Sequence, residues 1–302
     1  MADANTVKAG SLFNPELVKE MFSKVGGHSS VAKLANQVPV AFSGNEYMTF
    51  SLDNEISIVG ESGAKPAGGA TISPVTVKPL KVIYQARITD EFIKCSEEKQ
   101  LSYLETFAEG FAKKIARGLD IMVFHGLNPA TSSASAAIGT NSFDTCTAVS
   151  TVAFSTADYE ALITGGVNAL ASQYDCNGIA ISKSYAADLA GITLNGGQRP
   201  YEAFMWGGNP GAIRGIACDV NDTVAVSAST AVSNYCYLGD FQNAFKWGYA
   251  EQIPLEVIQY GNPDGGALDL KQANEVLLRT EAYVGWGILD GSAFSRIVKS
   301  EA

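Results

Sequence analysis

Residues 46–84 carry the clearest hydrophobic pattern of the chain. Over residues 49–58 apolar and polar residues alternate, and the apolar positions are Phe50, Leu52, Ile56 and Ile58. An alternation with a period of two predicts a half-buried strand. A glycine-rich segment follows over residues 60–69, and a second alternating run returns as far as Tyr84. The pattern therefore predicts a long β-hairpin over residues 46–84.

The sequence offers the predicted hairpin almost nothing to fold against. Each arm of about 12 residues would reach about 40 Å, and a two-stranded ribbon alone in water is marginally stable at best. Its apolar face therefore needs a partner, which we expect to be another copy of the chain. The tip would lie farthest from the body and contains Gly60, Glu61 and Lys65.

Residues 1–45 are predicted to form an arm that attaches to another surface. Asn14 and Pro15 match a helix N-cap followed by proline at the first helical position, and Gly26 and Gly27 end the pattern. Between them lie the apolar residues of an amphipathic helix, which are Leu17, Val18, Met21 and Phe22. This short helix is too small to form a core of its own.

A long helix is predicted over residues 97–125. Apolar residues recur there at spacings of three and four, which is typical of a helix with one buried face. Ser96 is a candidate N-cap, and Gly126 follows the last turn. Roughly 29 helical residues make a rod of about 43 Å. We therefore expect this helix to be the spine on which smaller elements pack.

The remaining sequence predicts shorter elements in an irregular order. Residues 127–153 are expected to form a loop with a short ribbon near Phe143, and Ser155 with Asp158 predicts the start of a helix. Further strands are predicted over residues 177–182, 216–220, 224–227, 235–238, 253–258 and 276–288. Helices and strands without a regular βαβ order indicate the α+β class.

Composition narrows the function. The chain of 302 residues has a formal net charge of −10 and no cluster of Lys and Arg, which argues against a grip on nucleic acid. Its five widely spaced cysteines predict free thiols in a reducing compartment. No secretory signal pattern and no apolar run of about 20 residues is present, so we expect a soluble protein made in the cytoplasm.

Candidate chemistry is sparse, and we predict no catalytic residue, cofactor or metal. His28 and His125 stand in different elements without an evident partner, and His125 is interpreted as a favourable contact with the helix dipole. The glycine-rich tip lacks the Gly-Lys-Ser/Thr of a phosphate loop. A calcium site at Asn262, Asp264 and Asp269 fails the EF-hand spacing, so a turn is favoured. The tryptophans are interpreted as packing residues: Trp206, Trp247 and Trp286.

The order of these parts resembles the major capsid proteins of tailed bacteriophages. The stretches that carry the resemblance are the hairpin followed by 87–92, then 118–126, 237–241, and 279–283 with Ala293 and Phe294. The resemblance implies an α+β phage major-capsid fold with a spine helix and a long hairpin called the E-loop. Its implied parts are the N-terminal arm 1–45, the E-loop 46–84, the peripheral domain 85–153 with 245–302 around the spine helix 97–125, and the inserted axial domain 154–244.

The same resemblance implies a structural function without catalysis. Many copies, grouped as pentamers and hexamers, would form the icosahedral shell around the double-stranded DNA of a tailed phage, without sequence-specific DNA binding and without a membrane. The E-loop and the arm helix would lie across adjacent subunits and shift when a precursor shell expands. Separate scaffolding and portal proteins, and decoration proteins, are the implied partners. The location implied is the virion capsid, assembled in the host cytoplasm.

A covalent cross-link is one property of this fold that the sequence leaves open. In some capsids a lysine of the E-loop forms an isopeptide bond with an asparagine near the last strand, assisted by a glutamate. Here Lys65, Asn274 and Glu281 occupy comparable positions. Against the bond, Asn274 and Glu281 are seven residues apart and would face opposite sides of an unbroken strand.

Three other functions remain as alternatives. An encapsulin, which is a bacterial compartment shell of the same fold, would hold protein cargo in place of DNA. A soluble α+β hydrolase would be a compact monomer with a saturable ligand. A phage decoration or tail protein would differ in the symmetry of its assembly.

Overall fold

The computed structural model describes residues 29–52, 56–154, 158–194, 196–226, 232–266 and 268–300. The predicted arm helix lies outside the described residues, and with it Leu17, Val18, Met21, Phe22 and His28. Within the described part of the chain, no helix is long and apolar enough to cross a membrane.

Helices and strands follow one another in a mixed order along the chain. The helices are α1 (Ser30–Leu34), α2 (Glu91–Lys94), α3 (Glu97–His125), α4 (Tyr159–Asn168), α5 (Lys183–Gly191) and α6 (Leu270–Ala273). The strands are β1 (Asn45–Leu52), β2 (Ala70–Val77), β3 (Leu80–Thr89), β4 (Leu127–Asn128), β5 (Ser133–Ala134), β6 (Ser150–Ala153), β7 (Gly178–Ile181), β8 (Ala212–Ile213), β9 (Ile216–Val220), β10 (Val232–Gly239), β11 (Phe245–Ile258), β12 (Glu275–Ile288) and β13 (Phe294–Ser300).

The long helix α3 confirms the predicted spine over residues 97–125. It ends at Gly126, whose φ of 67° places it in the left-handed region that glycine adopts without a Cβ penalty. The Gly126 N–H donates to the Met122 carbonyl and closes the last turn. Ser96 stands at the predicted N-cap, but its side chain makes no capping bond.

A three-stranded antiparallel sheet packs against this helix. Its order is β11–β12–β3, so that β12 lies in the middle. Over the middle of β12, from Leu278 to Val284, buried and half-buried residues alternate as the sequence predicts. Ala282, Val284 and Trp286 join Phe111 and Ile115 of α3 in the main core. The sheet and the spine thus form one layered unit.

A six-stranded sheet forms the second layer. Its order is β6–β13–β10–β7–β9–β8, with parallel pairing between β6 and β13 and between β7 and β9. Strands β7 to β10 come from the predicted axial segment 154–244, whereas β6 and β13 come from the predicted peripheral segments. One sheet therefore joins segments that the resemblance assigns to different domains. The division into axial and peripheral domains stays a prediction.

The hairpin is shorter than predicted. β1 pairs with β2 from Asn45↔Val77 to Leu52↔Ala70, so that Ile56 and Ile58 lie beyond the paired strands. The returning run splits after Val77, because Leu80 onward pairs with β12 in the three-stranded sheet. The prediction that the returning arm of the hairpin extends to Tyr84 was therefore wrong. The apolar positions change phase at Pro79, between Val77 and Leu80, but a bulge within one ribbon gives the same change, so the pattern does not show that the chain enters another sheet.

Three local predictions in the middle of the chain were also wrong. Phe143 is fully buried and belongs to no strand, and the short ribbon is formed by β4 and β5. Residues 222–225 form a 3₁₀ turn where a strand over 224–227 was expected. Asp158 is the N-cap of α4 and accepts from the Glu160 and Ala161 N–H groups, so the helix begins three residues later than its pairing with Ser155 predicts. Ser155 itself lies outside the described residues. In the first two cases a buried side chain, Phe143 or Thr223, follows its tertiary contacts and not the local pattern.

Candidate inter-subunit surface

The tip of the hairpin presents apolar side chains to solvent. Ile56 is 98% exposed, Ile58 is 100% exposed, and Val59 is also exposed. The Gly63 N–H donates to the Gly60 carbonyl at 2.9 Å and closes a turn beside them. Singly exposed apolar residues are ordinary, but adjacent ones at the end of a projecting ribbon mark an interaction site.

The other predicted residues of this surface lie on the same ribbon. Glu61 and Lys65 are exposed in the tip loop. The backbone of Phe50 and Leu52 belongs to β1, while their side chains lie outside the described part of the structure. Met48 and Ile72 add two further exposed apolar side chains along the ribbon. The structure thus gathers the described candidates on one projecting element.

The base of the ribbon is held by close packing on β12. Val77 is 1% exposed, and a Cβ at Gly287 would lie 2.4 Å from its Cγ2 atom. A Cβ at Gly285 would also crowd Val77, at 3.3 Å. Glycine at both positions lets the ribbon cross the sheet closely, so its direction away from the body is fixed at this point.

A buried carboxylate holds the root of the N-terminal segment. Asp120 of the spine helix accepts from the Ser29 hydroxyl at 2.5 Å and from the backbone N–H groups of Ser30 and Val31 at 3.0 and 3.1 Å. Asn221 and Thr223 donate to the same carboxylate from the six-stranded side. One side chain therefore ties α1, the spine and the segment before β10 together.

Burial and hydrogen bonding oppose each other at this carboxylate. Burial raises the pKa of Asp120 to about 6, while the donors from Ser29, Ser30, Val31 and Thr223 act to lower it. The hydrogen-bond donors favour the charged form of the carboxyl and so offset part of the cost of burying it. Asp120 appeared in the sequence only as part of a family-like stretch, because its partners are up to 103 residues away.

A second buried cluster joins the end of the spine to the six-stranded sheet. His125 Nδ1 lies 2.8 Å from the Asp144 carboxylate, and Nε2 lies 2.8 Å from the Thr223 carbonyl oxygen. Asp144 also accepts from the Tyr237 hydroxyl at 2.7 Å and from Arg296 at 2.8 Å. A carbonyl oxygen only accepts, so Nε2 carries a proton. His125 lies in the last turn of α3, where the dipole interpretation placed it, but the prediction that it lacks a partner was wrong.

The Asp144 cluster predicts a loss of stability in acid. Burial raises the pKa of Asp144, but the hydrogen bond and charge of His125, the Tyr237 hydroxyl and the Arg296 charge together lower it. In the unfolded chain this carboxyl has the ordinary aspartate pKa of about 3.9. A carboxyl with a lowered folded-state pKa contributes stability above that value, and the contribution is lost as pH falls through the folded-state pKa.

We therefore expect Asp144→Asn to cost more free energy of unfolding at pH 7 than at pH 3. Urea unfolding of the unassembled subunit and of its Asn variant measures the free-energy cost of the substitution at each pH. A cost at pH 3 that equals or exceeds the cost at pH 7 would contradict the assignment.

The loop between β11 and β12 is built around an arginine. Arg87 of β3 donates to Asp264 through two nitrogens at 2.5 and 2.7 Å, and it also contacts Asn262 at 2.8 Å and Glu275 at 3.1 Å. The hydrogen bonds from Arg87 lower the pKa of Asp264 to about 2. Asp269 instead caps α6 through the Lys271 N–H. These oxygens thus serve a turn, as predicted.

The predicted cross-link residues lie on different elements of one subunit. Lys65 is exposed in the tip loop, and Asn274 stands just before β12 with a φ of 54°. Glu281 lies seven residues farther along the strand, and seven extended residues span about 23 Å. It pairs with Lys81 at 2.7 Å. A bond between subunits would have to bring these groups together, and it stays a prediction.

The tryptophans differ in their environments. Trp247 and Trp286 are buried, and their indole nitrogens donate to the carbonyls of Ala35 and Asn141. Trp206 is 96% exposed and has a φ of 54°, so its interpretation as a packing residue was wrong. All five cysteines are free thiols.

The described chain thus combines a spine helix, two packed sheets and a ribbon whose tip exposes apolar side chains. The chain belongs to the phage capsid family, whose model matches residues 9–299. It is a phage major capsid protein, non-enzymatic, that assembles into a multi-copy shell in the virion. No curated protein sequence matches the chain.

Solved structures agree with this fold. A structure from Mycobacterium phage Ogopogo is 30% identical, with a TM-score of 0.76 over 90% of this chain and 92% of that chain. One from Gordonia phage Cozz is 24% identical, with a TM-score of 0.72 over 91% and 87%. A structure titled as the capsid of an empty GTA particle computed with C5 symmetry has a TM-score of 0.62 at 15% identity, over 90% and 97%.

Proposed function

We propose that this capsid protein builds its shell chiefly through the hairpin and the N-terminal arm. The observation that carries the proposal is the near-complete exposure of Ile56 and Ile58 at the end of a ribbon whose base is tightly held. The ribbon extends across an adjacent subunit, which removes these side chains from water. Each subunit makes several such contacts, so a closed lattice is stabilised by their number.

The arm and the axial segment supply the remaining contacts in this proposal. The arm helix with Leu17, Val18, Met21 and Phe22 lies on a neighbour. The hydrogen bonds that Asp120 accepts from residues 29–31, called the Asp120 clamp below, hold the root of the arm. The segment 154–244 gathers around five-fold and six-fold positions, giving pentamers and hexamers.

The shell is proposed to enclose double-stranded DNA without reading its sequence. The net charge of −10 suits a container whose wall does not bind the backbone of packed DNA tightly. Scaffolding, portal and decoration proteins are proposed partners, and assembly is proposed to occur in the host cytoplasm.

Electron microscopy of the expressed protein, alone and with a candidate scaffold, tests this function. Icosahedral shells that package DNA in the presence of the phage packaging proteins would support it. Shells filled with protein cargo and lacking DNA would favour a compartment shell. A compact monomer that never assembles, under any scaffold condition, would overturn the proposal.

A further inference from the structure

An apolar groove lies on the predicted axial segment, between α5 and the turn Glu202–Gly207. Its volume is about 350 Å³. Ala186 and Ala190 of α5 form one side, and Phe204 and Val220 lie among the other lining residues. Alanines on the side of α5 that faces the turn leave room between the two elements, and the space is large enough to hold apolar side chains of another molecule.

Trp206 forms a wall of this groove and is presented to solvent. Its side chain is 96% exposed, and its φ of 54° lies in the left-handed region that residues other than glycine rarely adopt. The turn that carries it is fixed, because Phe204 is buried and the Gly208 N–H donates to the Met205 carbonyl at 3.1 Å. An exposed tryptophan on an ordered turn loses little further freedom when a partner covers it, so Trp206 is suited to anchor an interface.

The rim of the groove is positively charged. Lys183 at the start of α5 and Arg199 line it, and no acidic residue does. A guanidinium nitrogen of Arg199 contacts the Met205 sulfur at 3.8 Å, and neither cation forms an ion pair with another described residue. The acidic residues that follow them most closely in sequence, Asp188 and Glu202, do not line the groove. In a chain with a net charge of −10, this is a place where an acidic segment is attracted and not repelled.

The lining favours a peptide over nucleic acid as the occupant. Two cations are few for a site that binds the phosphate backbone, whose affinity comes from many Lys and Arg contacts. The bases of double-stranded DNA are stacked inside the helix and do not offer a free face to Trp206. A polypeptide segment instead supplies both parts that the groove lacks, which are an apolar side chain for its interior and carboxylates for its rim.

We propose that this groove docks an acidic segment of a partner protein other than the capsid chain. An apolar side chain of the segment enters between α5 and Trp206, and its carboxylates lie against Lys183 and Arg199. The inference goes beyond the proposed function, because the hairpin and the arm that build the shell are other elements. A chain of net negative charge thus binds an acidic partner at one defined place.

Acrylamide quenching of tryptophan fluorescence tests where such a segment binds. Trp247 and Trp286 are buried, so Trp206 is the tryptophan that acrylamide reaches. The probe is a short synthetic peptide of alternating leucine and glutamate, added to the full-length unassembled subunit. We expect the peptide to lower the quenching constant by at least about twofold, because it covers the exposed indole. No protection, or equal protection by a peptide with lysine in place of glutamate, would overturn the proposal.

Fluorescence anisotropy of the same peptide, labelled with fluorescein, tests the residues of the groove. Lys183→Glu reverses a charge on the rim and should weaken binding by at least about tenfold. Trp206→Asn should weaken it as strongly, and asparagine tolerates the left-handed backbone at this position. Lys99→Glu is the matched control and should bind as the unmodified subunit does, because Lys99 is exposed on α3 and does not line the groove. Binding by Lys183→Glu or Trp206→Asn that equals the control would overturn the proposal.

The remaining outcomes separate this inference from its alternatives and from the proposed function. Lys183→Glu should still form shells, since the groove is assigned no contact between copies. Loss of shells by a Lys183→Glu subunit that is folded by circular dichroism would make the groove a contact between copies and overturn the proposal. Protection of Trp206 by a short DNA duplex and not by the peptide would assign the groove to nucleic acid and also overturn it. The binding measurements use the subunit, so they decide this inference even if no shell ever forms.

Discussion

Replacing Ile56 and Ile58 together with Asp is expected to abolish shell formation while the subunit keeps its fold. Both side chains are almost fully exposed in the subunit, so their loss removes no contact within the chain. Burying an isoleucine is worth about 1.5–3 kcal/mol, and two per contact give about 3–6 kcal/mol. That weakens each contact at least about a hundredfold.

Sedimentation and electron microscopy of the Asp variant measure the effect, and circular dichroism checks the fold. The matched control is Ile56→Val with Ile58→Val, which keeps both positions apolar and β-branched and should still form shells. If the Asp variant formed normal particles at the wild-type yield, the tip would make no contact that assembly requires.

Asp120→Ala is expected to destabilise the folded subunit by at least about 4 kcal/mol, because four buried donors lose their acceptor and each costs about 1–3 kcal/mol. The variant leaves the Ser29 and Thr223 hydroxyls and the N–H groups of Ser30 and Val31 without their acceptor. It should also free α1 from the spine, which loosens the root of the N-terminal arm.

Urea unfolding of the unassembled subunit measures this loss. Asp222→Ala is the control, since Asp222 is exposed and pairs with Arg117 at the surface, and such a pair is worth at most about 1 kcal/mol. If Asp120→Ala were as stable as the control variant, the clamp would contribute nothing to the fold.

The spine helix and β12 were predictable from sequence because each is long and periodic. The helix has three- and four-residue spacing ended by Gly126, and β12 alternates over more than ten residues. Patterns of that length outweigh local exceptions. The exposed tip was also predictable, since a glycine-rich segment between two alternating runs offers nothing for Ile56 and Ile58 to pack against.

The passage from ribbon to sheet was not predictable from the pattern. Val77 ends one strand and Leu80 begins the next, and the phase change of the apolar positions at Pro79 is equally consistent with a bulge inside a single ribbon. What separates them is the close approach to Gly285 and Gly287, about 200 residues later in the chain. Sequence spacing carries no information about which distant glycines will lie beneath a strand.

The buried polar clusters escaped prediction for the same reason. Asp120 and His125 lie on one helix, but their partners come from three other segments, around Ser29, Asp144 and Thr223. Phe143, in a loop rich in small residues, fills the space beside Phe124 and Phe294. Only the folded chain places these residues together, so a single sequence gave no signal of their pairing.

The proposed shell assembly depends on a ribbon whose apolar tip is covered by a neighbouring subunit. A three-dimensional reconstruction of assembled shells by electron microscopy tests this most directly. We predict that β1 and β2 project onto an adjacent subunit and that Ile56 and Ile58 are buried there. A reconstruction in which the ribbon lies on its own subunit, or in which the tip stays in solvent, would contradict the account.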